Sequence, residues 1–168
     1  MKQLLLLIAL LLPTITSGQD AFTLPASEEG LPGEGELRRY DGYVKNWARL
    51  RSQWSEQVAQ DQSAVVFLGD SITQGWGPEF RGQFAGMNLA NRGIGGDTTR
   101  GMLIRLQQDV LSLNPKAVVL LMGTNDLEIG LEPELISRNF AKVIQALKSH
   151  NSDMPIVVCQ VFPSSAEK

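Results

Sequence analysis

The sequence predicts an α/β fold, a doubly wound parallel sheet with helices on both faces. Two observations carry this expectation. Short, continuous apolar runs recur at Val65 to Leu68, Ala117 to Met122 and Ile156 to Val161, with a weaker one at Met87 to Ala90. Amphipathic helical spacing fills the gaps between them, over Thr98 to Leu113 and Pro133 to Ser149. Continuous apolar strands alternating with one-sided helices belong to parallel sheets that are buried on both faces.

The elements follow in order. Residues 1–18 read as a secretory signal. Lys2 gives a short positive start, Leu4 to Leu12 is unbroken apolar, Pro13 interrupts it, and Thr16, Ser17 and Gly18 are small. Cleavage is expected before Gln19. The apolar run is shorter than the ~20 residues that span a bilayer. The protein is therefore expected to be exported, periplasmic or extracellular, with no stable membrane span after cleavage; the competing reading is an uncleaved anchor. Residues 19–36 carry Pro25, Gly30, Pro32, Gly33 and Gly35 among acidic residues and read as an irregular leader. Residues 37–168 are expected to form one domain.

Within that domain, Tyr40, Val44, Trp47, Leu50, Trp54 and Val58 recur at helical spacing and predict a helix over Tyr40 to Val58. The tryptophan stripe is read as a packing face, with a sugar-stacking surface as the alternative. Leu103, Leu106, Val110 and Leu113 mark the buried face of the second helix. Pro133 suits the first turn of the third, whose inward residues are Ile136, Phe140, Val143 and Leu147.

Composition narrows the function. Hydrophobic residues make up 43% of the chain, enough for a proper core. The formal net charge of -3 comes from interspersed charges, not the clustered basic face of a nucleic-acid binder. The single cysteine, Cys159, cannot form an internal disulfide and is read as a small buried hydrophobe in a strand.

In doubly wound sheets the active crevice lies beyond the carboxyl ends of the strands. Three polar, glycine-bearing loops fall there: Gly69-Asp70-Ser71, Asn91 to Asp97, and Gly123-Thr124-Asn125-Asp126. Ser71, at a strand-to-helix turn, is a candidate nucleophile. An alkyl hydroxyl needs a neighbouring base and donors for the oxyanion that forms on attack. The Ser71 N–H, the Gly96 N–H and the Asn125 amide are the candidate donors. Asp70 and Asp126 are read as supporting, loop-shaping residues. Gln74, Trp76 and Arg100 are candidate liners of an acyl or alcohol pocket. Taken singly, each loop has another reading: a common turn, a phosphate cradle over Gly93 to Gly96, or a strand terminator. The glycine loop lacks the Lys-Ser/Thr of a P-loop.

On these residues the chain resembles the SGNH (GDSL-type) hydrolases, nearest the platelet-activating-factor acetylhydrolase catalytic subunits and related bacterial esterases. The matching blocks are Phe67 to Thr73, Asn91 to Thr99 and Met122 to Asp126. The resemblance implies a flavodoxin-like sheet, Ser71 as nucleophile, and an oxyanion hole made by Ser71 N–H, Gly96 N–H and Asn125. It also implies hydrolysis of a small-molecule ester, commonly a short acyl group on a lipid, sugar or other alcohol. No metal or organic cofactor is expected. A homodimer is implied only by analogy.

One departure shapes the expectation. The family's last block, Asp-x-x-His, supplies the base and its orienting acid, and no aspartate here has a histidine three residues later. The only histidine, His150, follows a helix whose carboxyl end should sit opposite the crevice. The fold is expected to stop short of its last strand and helix, leaving Ile156 to Val161 as an apolar edge prone to association. The 168 residues are accordingly read as the amino-terminal part of a longer product, inactive as given. The competing functions are a catalytically dead module that binds an acylated carbohydrate or lipid, and a flavodoxin-like or phosphate-binding domain.

Overall fold

The computed structural model describes residues 22–161. The signal-like segment, its expected cleavage point and Phe162 onward lie outside the described residues. Helix α1 spans Asp41–Gln57, strand β1 Val65–Gly69, the short helix α2 Ser71–Gln74 and strand β2 Leu89–Gly93. Helix α3 covers Thr99–Asp109, strand β3 Ala117–Leu121, helix α4 Thr124–Glu128, helix α5 Pro133–His150 and strand β4 Ile156–Val158. The strands form one parallel sheet in the order β2-β1-β3-β4. No helix among the described residues is long and apolar enough to cross a membrane.

The strand sequences explain the layering. Val66 and Leu68 of β1, Ala90 of β2, and Val118 and Leu120 of β3 point to one face. There they join Met102, Leu103 and Leu106 of α3 with Val143 and Leu147 of α5 in the main core. Helix α1 adds a second cluster, in which Tyr43, Trp47 and Trp54 pack with Leu24, Leu37 and Ile94. The other face is covered over β1 by the segment after α2, where Phe67 stacks at 4.6 Å on Phe80 and at 6.0 Å on Phe84.

Several expectations need correction. The stripe of α1 is Tyr43, Trp47, Arg51 and Trp54 rather than one that begins at Tyr40, which is 53% exposed. Arg51 is buried because Asp109 accepts two bonds from its Nε, at 2.9 and 3.1 Å. Strand β2 runs from Leu89 to Gly93, not from Met87 to Ala90. Polar Asn91 and Arg92 obscured it. Arg92 is buried in the strand with its guanidinium over Trp54 and a 2.7 Å bond to Asp61. Helix α3 ends at Asp109; a 3-10 turn over Leu111–Leu113 follows, closed by left-handed Asn114. All four apolar residues expected on its inner face are nonetheless buried. Strand β4 stops at Val158, and Cys159 just beyond it is only half-buried.

Residues 22–37 are irregular but firmly attached. Asn139 of α5 donates to the Glu34 carbonyl at 2.8 Å and accepts from the Glu34 N–H at 2.9 Å. The Glu34 carboxylate takes bonds from Arg138 and Lys142, which hold its pKa down at about 2.

Candidate active site

Register sets the site. Gly69 of β1 aligns with Gly93 of β2 and with Leu121 of β3, so the three strands finish level and their loops share one edge. Gly69 then lets the chain turn tightly into α2. A Cβ there would collide with Thr73 Oγ1 and lie 2.7 Å from the Leu121 carbonyl. Gly93 does the same from the neighbouring strand, where a Cβ would run into the Thr73–Gln74 peptide and come within 2.9 Å of the Asp70 carbonyl. The two glycines let α2 sit directly on the strand ends.

Ser71 begins α2 and is exposed. The Asp70 carboxylate caps the turn by accepting from the Ile72 N–H at 2.9 Å. Burial pushes the Asp70 pKa up, and the nearby Asp126 carboxylate adds to the rise. Asn91 clamps the far end of the turn, donating to the Thr73 and Gly77 carbonyls at 2.8 and 2.9 Å.

The glycine loop comes up beside Ser71. A Cβ on Gly95 would stand 3.7 Å from the Ser71 Cβ. The Gly95 N–H is engaged by Gln74 Oε1 at 2.6 Å, and Asn46 Nδ2 donates to the same oxygen at 3.0 Å. Gly96 adopts φ +85°, a left-handed conformation that glycine reaches without strain. Neither the Gly96 N–H nor the Ser71 N–H meets a protein acceptor among the described residues. Asn125 donates one amide N–H to the Asp97 carbonyl at 2.9 Å. An amide nitrogen carries two such donors, and its second has no protein acceptor among the described residues. Every donor assigned from the sequence thus lies on this edge and retains a free N–H.

Beneath the loop lies a charged network that the sequence analysis missed. Asp97 and Arg105 are fully buried and bonded at 2.8 Å. Tyr43 donates to the other Asp97 oxygen at 2.8 Å. Arg105 also reaches the Arg92 carbonyl at 2.8 Å and the Gly69 carbonyl at 3.3 Å, and so braces the ends of β1 and β2. Burial raises the Asp97 pKa to about 6, although Arg105 pulls it down. Burial and the Asp97 charge push the Tyr43 phenol far up. Asp126 accepts from Thr99 through both its N–H and its hydroxyl, which ties α4 to the start of α3.

The remaining candidates separate. His150 is exposed at the end of α5, next to where β4 begins, at the opposite edge of the sheet from Ser71. Arg100 does not line the crevice: it is buried beneath the leader, bonded to Glu28 and the Gly35 carbonyl. Gln74 positions Gly95. Trp76 is 42% exposed and, with Phe67, Phe80, Phe84, Leu121 and Cys159, borders an apolar cavity of about 250 Å³. Among the described residues, no group of three His, Cys, Asp or Glu side chains is placed to hold a metal ion.

Comparison with known proteins agrees with this architecture. The model of the GDSL-like Lipase/Acylhydrolase family matches residues 67–168. The platelet-activating factor acetylhydrolase IB subunit alpha2 of Rattus norvegicus is 28% identical over 120 residues, covering 70% of this chain and 52% of that protein. The chain therefore spans about half the length of the curated relatives it matches. A GDSL-like lipase from Bacteroides thetaiotaomicron superposes with a TM-score of 0.59 at 26% identity, over 68% of this chain and 59% of that one. An acetyl xylan esterase gives a TM-score of 0.50 at 31% identity, over 57% of each chain.

Proposed function

The chain belongs to the GDSL-like lipase/acylhydrolase family, and on that premise we propose that it carries the nucleophile and oxyanion donors of an exported serine ester hydrolase. Ser71 Oγ attacks the ester carbonyl carbon. The charge that develops on the carbonyl oxygen is received by the Ser71 N–H, the Gly96 N–H and the free Asn125 N–H. The bond to the leaving alcohol breaks, the acyl group stays on Ser71, and water later releases it as the acid. The observation that carries this reading is the set of unengaged donors around an exposed serine at one sheet edge. Asp70 and Asp126 hold the loops. The acyl group is short and the alcohol is that of a sugar, lipid or other hydroxyl compound; acetylated substrates are favoured by the names of the acetylhydrolase and acetyl xylan esterase relatives. Export rests on the character of residues 1–18.

The serine must lose its proton to a base, and a carboxylate alone replaces imidazole poorly here. The only imidazole of the 168 residues stands at the opposite edge. We infer that these 168 residues are catalytically silent on their own. The test is steady-state hydrolysis of p-nitrophenyl acetate. No turnover above the Ser71→Ala background is expected; fast turnover that Ser71→Ala abolishes would contradict the inactivity and reveal a base elsewhere.

A further inference from the structure

We propose that Tyr40 is a fourth oxyanion donor, polarised by Arg38, and that the segment before α1 thereby becomes part of the active site. This rests on the oxyanion reading above and extends it to a residue outside the three motif loops. Tyr40 caps the start of α1 and its side chain is more than half exposed, so its hydroxyl is not needed for the core. That hydroxyl lies over the oxyanion loop: a Cβ on Gly96 would collide with it. The loop can approach Tyr40 this closely only because position 96 has no side chain.

Arg38 supplies the polarity. Its Nη2 donates to the Asn125 carbonyl at 3.1 Å and to Glu128 at 2.6 Å, which holds the guanidinium against α4, the element that carries the Asn125 donor. Burial opposes the charged form of this guanidinium, which Glu128 and, after it, the Tyr40 hydroxyl favour. Arginine has donors and no acceptor. In any bond between the two, Tyr40 is therefore the acceptor, and its own proton is left to point elsewhere. With the hydroxyl against Gly96, that proton can be turned to the anion received by the Gly96 N–H. Arg38 and Tyr40 thus form a relay in which a cation sharpens a neutral donor aimed at the developing oxyanion.

The experiment uses the full chain with methylphosphonate, a tetrahedral oxyanion, as probe. Binding is followed through the backbone amide signals of Ser71 and Gly96. The wild-type chain should shift both signals saturably. Tyr40→Phe keeps the exposed ring and should weaken binding about tenfold, the order expected for one hydrogen bond to a charged group. Replacing Tyr40 by 3-fluorotyrosine, a more acidic phenol, should tighten binding relative to tyrosine. A purely structural Tyr40 would not produce that order. Equal affinity for all three side chains, with intact Ser71 and Gly96 responses, overturns the Tyr40 relay and leaves the oxyanion reading standing. Absence of any Ser71 or Gly96 response in the wild-type chain overturns both.

Discussion

Asn125 Nδ2 donates to the Asp97 carbonyl at 2.9 Å, so the loop after β3 is bonded directly to the loop after β2. The bond aligns a candidate oxyanion donor and stitches two strand ends together. Removing it as Asn125→Ala leaves a buried carbonyl without a partner, which typically costs about 1–3 kcal/mol. Urea unfolding should show that loss, with Asn125→Asp no milder because an added carboxylate faces the carbonyl and the neighbouring Asp126.

Gly93→Ala tests the packing of the nucleophile turn. The new methyl meets backbone of α2 rather than a flexible side-chain tip. Overpacking of this kind costs about 1–3 kcal/mol. The expected result is a lower thermal midpoint together with displaced Ser71 and Thr73 amide signals. An unchanged midpoint would mean that α2 does not rest on the strand ends.

The pH dependence follows from Asp97. Its pKa is raised from the ordinary 3.8 to about 6 in the folded chain. Between those values the folded state holds more protons than the unfolded one, so this group lowers stability as pH rises from about 4 to 6 and contributes no slope above that. Carbon-13 NMR of the Asp97 carboxyl should give a midpoint near 6. A midpoint below 4 would mean that Arg105 outweighs burial.

Strand β4 is an edge with Val157 and Val158 each 52% exposed. Exposed apolar edges invite strand pairing between molecules, and a lysine on the edge opposes it. The chain is expected to associate at micromolar concentration by light scattering, and Val157→Lys should reduce that association. No difference between the two would place the contact elsewhere.

Much of this was legible in the residues. Runs such as Ala117 to Leu121 are apolar throughout because both faces of a parallel strand are covered, and Gly-Asp-Ser, Gly-Gly-Asp and Thr-Asn-Asp follow successive strands. What stayed hidden were polar residues with buried partners distant in sequence. Arg92 made the second half of β2 look like a loop, because nothing local announces that Trp54 and Asp61 will receive its guanidinium. Arg105 and Asp97, eight residues apart across a helix start, show no charge pattern of their own. Arg100 looked like a crevice residue for the opposite reason: its neighbours in sequence are functional, whereas its contacts are in the leader. Tyr40 was counted into a helical stripe because its spacing fits, yet as the capping residue it precedes the helix and turns toward Gly96.

The most direct test is acyl transfer to Ser71 with the base supplied from solution. The chain is incubated with p-nitrophenyl acetate with and without free imidazole, and acetylation is located by peptide mass spectrometry. The prediction is one acetyl group on Ser71, accumulating faster than on any other serine only when imidazole is present, and absent from Ser71→Ala. Acetylation of Ser71 no faster than that of exposed serines such as Ser55, with imidazole present, would contradict an oxyanion site at this edge.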